Sequence, residues 1–265
     1  MRFLAIAAML AMLGCTSEPE SQPQTAQPTS FDGAQVVAAK ARVAHGERLS
    51  RVLGCRGCHG DDLQGERFYE LYASNLTRDV ASYNDDQLKR LLRQGSHPTG
   101  RDVWGMPSEL FQHLSVADEA ALINYLRTLT PAGQPTQPRL PWSPEVEKMI
   151  AEGKIKPANA TVRETGNVGP VDLGSRYALG RYIARVTCAE CHGPKLEGGD
   201  KPDLIAAGGY NREEFDTLVT RGVPTNNRKL HELMVDVAKR RFAHLTKNER
   251  DELYAYLKAR AERPT

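Results

Sequence analysis

Two five-residue segments constrain this chain more than anything else in it: Cys55-Arg56-Gly57-Cys58-His59 and Cys188-Ala189-Glu190-Cys191-His192. In each, two thiols stand three positions apart and an imidazole follows at once. This is the spacing of covalent c-type haem attachment. Two thioethers must reach two vinyl groups on one edge of the porphyrin. The next residue must then bring a ring nitrogen to the iron. One short helical turn does both, which makes His59 and His192 the proximal ligands. The competing readings are a four-Cys zinc site, redox-active dithiols and local disulfides. A zinc site would have to join pairs 133 positions apart and would leave both histidines unexplained. A redox dithiol expects a βαβ setting, and no such strand pattern occurs. Two covalently bound haem c groups, each with its iron, are the expected cofactors.

The fifth cysteine, Cys15, belongs to a different pattern. Arg2 is followed by an apolar run from Phe3 to Leu13, too short to span a bilayer, ending in Met12-Leu13-Gly14-Cys15. This is similar to a bacterial lipobox, in which the Cys is lipidated and becomes the first mature residue. Residues 1–14 are expected to be a signal peptide. Residues 15–30 hold three prolines and almost nothing apolar, so they are expected to form a flexible tether on a lipid anchor at Cys15. The expected location is the bacterial periplasm, at a membrane surface. With 35 basic and 33 acidic residues the charge is nearly balanced, and no basic excess points to nucleic acid.

The remainder reads as an internal repeat. Leu179, Ile183 and Val186 recur at helical spacing before the second motif, and Leu49, Val52 and Leu53 do similar work before the first. Phe111-Gln112-His113-Leu114-Ser115 pairs with Phe242-Ala243-His244-Leu245-Thr246 at an offset of 131. Ser115 and Thr246 are candidate helix N-caps, with Asp118 and Glu249 at capping-box spacing. Leu122, Tyr125, Leu126 and Leu129 then match Leu253, Tyr256 and Leu257. The expected fold is all-α: two tandem domains, 31–130 and 171–265, each a small helical bundle around a haem. The linker, 131–170, holds seven of the sixteen prolines. It is expected to cross the surface with one short helix capped by Ser143, begun by Pro144 and ended at Gly153.

A His-bound iron takes a sixth ligand or keeps an open position, and the choice separates electron transfer from catalysis. Beyond the signal peptide the methionines are Met106, Met149 and Met234. Met149 falls on the linker helix and reads as a packing residue. Met106 and Met234 follow their histidines by 47 and 42 residues and are the candidate distal ligands. His97 competes with Met106, and His231 with Met234. His113 and His244 read as structural or surface histidines, and His45 carries no signal.

These residues resemble the class I cytochrome c family, in a fused two-haem form, over roughly 36–130 and 171–262. The resemblance implies that Gly46 with Tyr125, and Gly180 with Tyr256, mark close crossings of first and last helices. It implies that Pro202 orients the carbonyl that accepts the proximal N–H of His192. The first half has Ser74 in that place, so the orienting contact is expected to be weaker for His59. Met234 is followed by Val235 where the family pattern, kept at Met106-Pro107, has proline. Asn75-Leu76-Thr77 and Gly100-Arg101-Asp102-Val103-Trp104-Gly105-Met106-Pro107 are similar to haem-bearing subunits of membrane-associated periplasmic dehydrogenases. The implied role is one-electron transfer without catalysis. The implied partners are a donor dehydrogenase or quinol-linked complex and an acceptor cytochrome or oxidase. The alternatives are a cytochrome subunit of a larger dehydrogenase or oxidase, and a two-haem peroxidase, which needs one open iron.

Overall fold

The computed structural model describes residues 29–225 and 228–263. The expected signal peptide, Cys15 and the tether up to residue 28 lie outside them. The expected all-α architecture holds: the helices are joined by loops and one minimal hairpin, Arg67–Phe68 against Leu71–Tyr72. In the N-terminal half run α1 (Ala39–Val52), α2 (Cys55–His59), α3 (Leu76–Asp79), α4 (Asp85–Gln94), α5 (Ser108–Phe111) and α6 (Val116–Leu126). The linker carries α7 (Pro144–Ala151) and α8 (Ala158–Thr165). The C-terminal half carries α9 (Ala178–Ile183), α10 (Ala189–His192), α11 (Arg212–Arg221), α12 (Glu232–Arg240) and α13 (Lys247–Ala261). No helix among the described residues is long and apolar enough to cross a membrane.

Local sequence accounts for the ends of these helices. Asn84 and Gln87 form a reciprocal capping box on α4, and Asn211 and Glu214 repeat it on α11. Both helices stop at a left-handed glycine, Gly95 and Gly222. Ser143 accepts from the Val146 amide and Pro144 takes the first turn of α7, as the sequence predicts. The second linker helix, α8, was not expected. It starts after Pro157, where a fixed φ suits helix entry, and the Ala158 amide donates to the Val103 carbonyl at 2.7 Å.

First and last helices cross closely in each half. A Cβ on Gly46 would lie 2.0 Å from the Ala121 carbonyl oxygen and 2.8 Å from the Tyr125 Cβ. On Gly180 it would lie 2.1 Å from the Glu252 carbonyl oxygen and 2.6 Å from the Tyr256 Cβ. The missing side chains are what let α1 meet α6 and α9 meet α13. The implied glycine–tyrosine crossings are therefore present in both places.

One buried cluster runs through both halves, from Phe31 and Leu49 to Tyr256 and Leu257. Polar contacts across the halves follow the repeat. Arg48 and Tyr182 each sit two residues after the crossing glycine. Arg48 pairs with Glu249 at 2.7 Å, and the Tyr182 hydroxyl donates to Asp118 Oδ2 at 2.8 Å. Asp118 and Glu249 are both fully buried. Of the two matched helices that close the halves, α6 and α13, only α13 has a reciprocal capping box. At α6 the Ser115 amide donates to the Tyr182 hydroxyl instead, and the Asp118 carboxylate accepts from the Ser115 hydroxyl, the Phe31 amide and Tyr182 and pairs with His45. His45, which carries no signal in the sequence, is thus a buried partner of Asp118 at 2.9 Å.

His113 is structural, as read from the sequence. Arg185 Nη2 donates to its Nε2 at 3.1 Å, so the ring must stay neutral to accept. Burial, then Arg185 and Arg93, push its pKa from an ordinary 6.5 down to about 4. The folded state therefore resists a proton that the unfolded chain takes up. The stabilisation is complete above pH 6.5 and is lost as pH falls toward 4. Thermal melts from pH 7 to 4 are expected to show a decline in this window that His113→Gln reduces. An unchanged profile in that variant would place the acid sensitivity elsewhere. His244, matched to His113 in the repeat, is likewise held down by burial and by Arg51, Arg56 and Arg48.

Candidate haem-attachment sites

Each Cys-x-x-Cys-His segment folds as the short helical turn its spacing calls for, α2 in the first half and Cys188 running into α10 in the second. Before the second motif the chain widens into a looser i to i+5 turn over Ala184–Cys188, where the Thr187 hydroxyl donates back to the Ile183 carbonyl at 2.7 Å. After each motif the backbone repeats closely. Gly60 and Gly193 follow the histidines with φ of 81° and 77°, and the buried Leu63 and Leu196 take left-handed φ of 60° and 65°. The Gly65 and Gly198 amides then donate to the His59 and His192 carbonyls at 2.8 and 2.9 Å.

This loop sets the histidines. His59 Nδ1 meets the Ser74 carbonyl at 2.8 Å, and His192 Nδ1 meets the Pro202 carbonyl at 2.7 Å. A carbonyl only accepts, so Nδ1 carries the proton and Nε2 presents a lone pair. That is the tautomer a haem iron requires, with the orienting contact behind it. The expected weakness at His59 is not found. The Ser74 carbonyl is fixed by its neighbour: the fully buried Asn75 binds Thr136 through its amide N–H, and the Ala132 and Gln134 carbonyls through its side chain. Linker anchoring replaces proline stiffness.

Gly65 and Gly198 are site residues that sequence reasoning missed. A Cβ on Gly65 would fall 2.6 Å from the Ala73 carbonyl oxygen, and on Gly198 2.2 Å from that of Lys201. Both have φ near +85°, a region that favours glycine. The available signal was their offset of 133, the same as between the motifs.

The thiols fit haem attachment better than the rival chemistries. All four are free, and among the described residues no three His, Cys, Asp or Glu side chains converge to hold a metal ion. Burial pushes Cys55 and Cys188 up to about 11 and also raises Cys58 and Cys191. A redox dithiol needs one thiol pulled the other way. Burial lowers the His59 pKa, keeping that imidazole neutral. Beside His192 opens a shallow cleft of about 410 Å³, lined by Val168, Pro194, Lys195, Glu197 and the glycines of the loop. The Cys/Cys/His donor sets and the histidine tautomers fit a c-type haem.

Met106 and Met234 both lie half-buried against the core. Of their histidine rivals, His97 has both ring nitrogens engaged and His231 has one. His97 binds the Tyr83 hydroxyl at 3.0 Å through Nε2 and Thr99 through Nδ1. His231 is exposed and caps α12, accepting from the Leu233 amide at 3.2 Å.

No protein-family model matches the chain. Over 86 residues it is 29% identical to a Cbb3-type cytochrome c oxidase subunit CcoP from Helicobacter pylori (strain 52). The match covers 32% of this chain and spans 27% of that protein's length. The likeness is to a subunit of a cytochrome c oxidase, and it is weakly in keeping with a cytochrome-type reading of the motifs.

Proposed function

We propose that the chain is a periplasmic two-haem c-type electron carrier, anchored by lipid at Cys15. It takes electrons one at a time from a membrane-associated donor and passes them to a cytochrome or oxidase. One observation carries this reading. Two Cys-x-x-Cys-His turns each hold their imidazole by Nδ1 on a main-chain carbonyl, in the tautomer that ligates iron. Haem supplies the one-electron redox centre. The cysteines would hold it covalently, the Ser74 and Pro202 carbonyls would fix ring orientation, and Met106 and Met234 would complete the coordination. His/Met ligation gives a higher potential than two histidines and leaves no position open for a substrate. The two-haem peroxidase alternative needs such a position. Contacts that join the halves, Arg48–Glu249 and Tyr182–Asp118, favour two sites held in fixed relation.

The relative's name favours a second reading, a cytochrome subunit of a larger oxidase or dehydrogenase. Co-purification of the intact chain from solubilised membranes with an exported oxidoreductase would select it over a free carrier.

The ferric holoprotein is expected to show a methionine–iron band near 695 nm worth two haems. Met106→Ala and Met234→Ala are each expected to halve it. A band worth one haem, unmoved by Met234→Ala, would mean that the second iron is open or bound by His231. An electron carrier with two closed sites would then be the wrong reading.

A further inference from the structure

We propose that Arg241 is a shared tuning residue, one guanidinium that favours the reduced state at both haem sites. This rests on the two-haem reading above. Arg241 lies between α12 and the Phe242 turn, in the C-terminal half. Its Nε donates to the Val52 carbonyl at 3.2 Å, at the end of α1 and three residues before Cys55. Its Nη1 donates to Glu190 Oε2 at 2.7 Å, inside the second motif. One side chain therefore ties the approach to the first motif to the interior of the second.

The site is built for this side chain. Arg241 is only 13% exposed. A Cβ on Gly54 would fall 2.7 Å from its guanidinium carbon, so glycine clears the space. Its Nη2 is buried with no hydrogen-bond partner in the protein. The guanidinium sits against Gly54, next to Cys55, and against Glu190, next to Cys191. The two motifs thus share one electrostatic neighbourhood.

The repeat does not supply this charge twice. Leu110, buried and apolar, stands 131 positions before Arg241 at the matching place, and Gly57 matches Glu190. Oxidation adds positive charge at an iron, so a nearby guanidinium opposes it and a carboxylate favours it. Arg241 therefore pulls both sites toward reduction. Glu190, inside the second motif, offsets that pull most at the second site.

The test is a spectroelectrochemical titration of the full-length holoprotein, after counting haems per chain. Arg241→Gln is expected to shift both reduction transitions to lower potential, each by roughly tenfold in the one-electron equilibrium. Arg241→Lys, which keeps the charge, is expected to restore most of the shift. Should Arg241→Gln not fold, Glu190→Gln carries the test, with both transitions expected to move upward. Two haems with neither transition moved, or only one, would overturn the shared role and leave the two-haem reading standing. A haem count other than two would overturn both.

Discussion

Alanine at Gly46 is expected to prevent the first half from closing around its site, and alanine at Gly180 to do the same in the second. In both positions the new methyl would meet a backbone carbonyl oxygen, at 2.0 and 2.1 Å, and then the Cβ of a buried tyrosine. Neither obstacle can rotate away, because the first is main chain and the second is the stem of its side chain. Only separation of the helices relieves the overlap, and that exposes Leu49, Val52, Leu122 and Tyr125, or Ile183, Val186, Leu253 and Tyr256. Overpacking of this kind costs about 1–3 kcal/mol where side chains can adjust, and more where backbone must move. Against a total stability of about 5–15 kcal/mol, a loss above roughly 3 kcal/mol is expected at each site. Gly209→Ala is the control, since a Cβ there meets nothing within 4 Å. Thermal melts of the three holoproteins decide the matter. Equal melting temperatures would mean that the crossings loosen freely and that the glycines do not set the packing.

These crossings were legible through the family resemblance, which pairs a glycine on the first helix with an aromatic on the last. The short turns at the two Cys-x-x-Cys-His segments were legible for a local reason: the spacing itself calls for one helical turn. The capping residues Ser115 and Thr246 could be named because a cap acts within one turn. What escaped depends on contacts between segments distant in sequence. His45 shows no local pattern, and only the fold brings Asp118 to it. The expectation of a weaker contact at His59 weighed Ser74 by its own stiffness, whereas the hold comes from Asn75 grasping the linker at Thr136, Ala132 and Gln134. The α8 helix escaped because the proline-rich linker was expected to hold one short helix, although proline also suits the entrance to a helix. Gly65 and Gly198 were visible as a repeat at the motif offset, but their purpose appears only when the Ser74 and Pro202 segments fold back over them.

Removing Arg48 tests whether the halves depend on each other. Its guanidinium binds Glu249 through two parallel hydrogen bonds, Nη1 to Oε2 at 2.7 Å and Nη2 to Oε1 at 2.9 Å. Glu249 has no exposure to water, and its other partners are the Asp32 and Thr246 amides. Those amides donate hydrogen bonds but bring no full charge. Arg48→Met keeps most of the apolar stem and leaves the carboxylate buried without its counter-charge. Breaking one side of a buried pair costs about 3–5 kcal/mol, against about 0–1 for a surface bridge. For a chain of this length that is a fall of roughly 10 °C in melting temperature. Glu249→Gln in the Arg48→Met background is expected to recover much of the loss, because it removes the stranded charge. Recovery would locate the effect in the pair itself. A fall of only a degree or two in Arg48→Met would show that water reaches Glu249 and that the halves are joined mainly by their apolar core. The expected large loss, with recovery in the double variant, would make this one ion pair a principal fastening between the two motif-bearing halves.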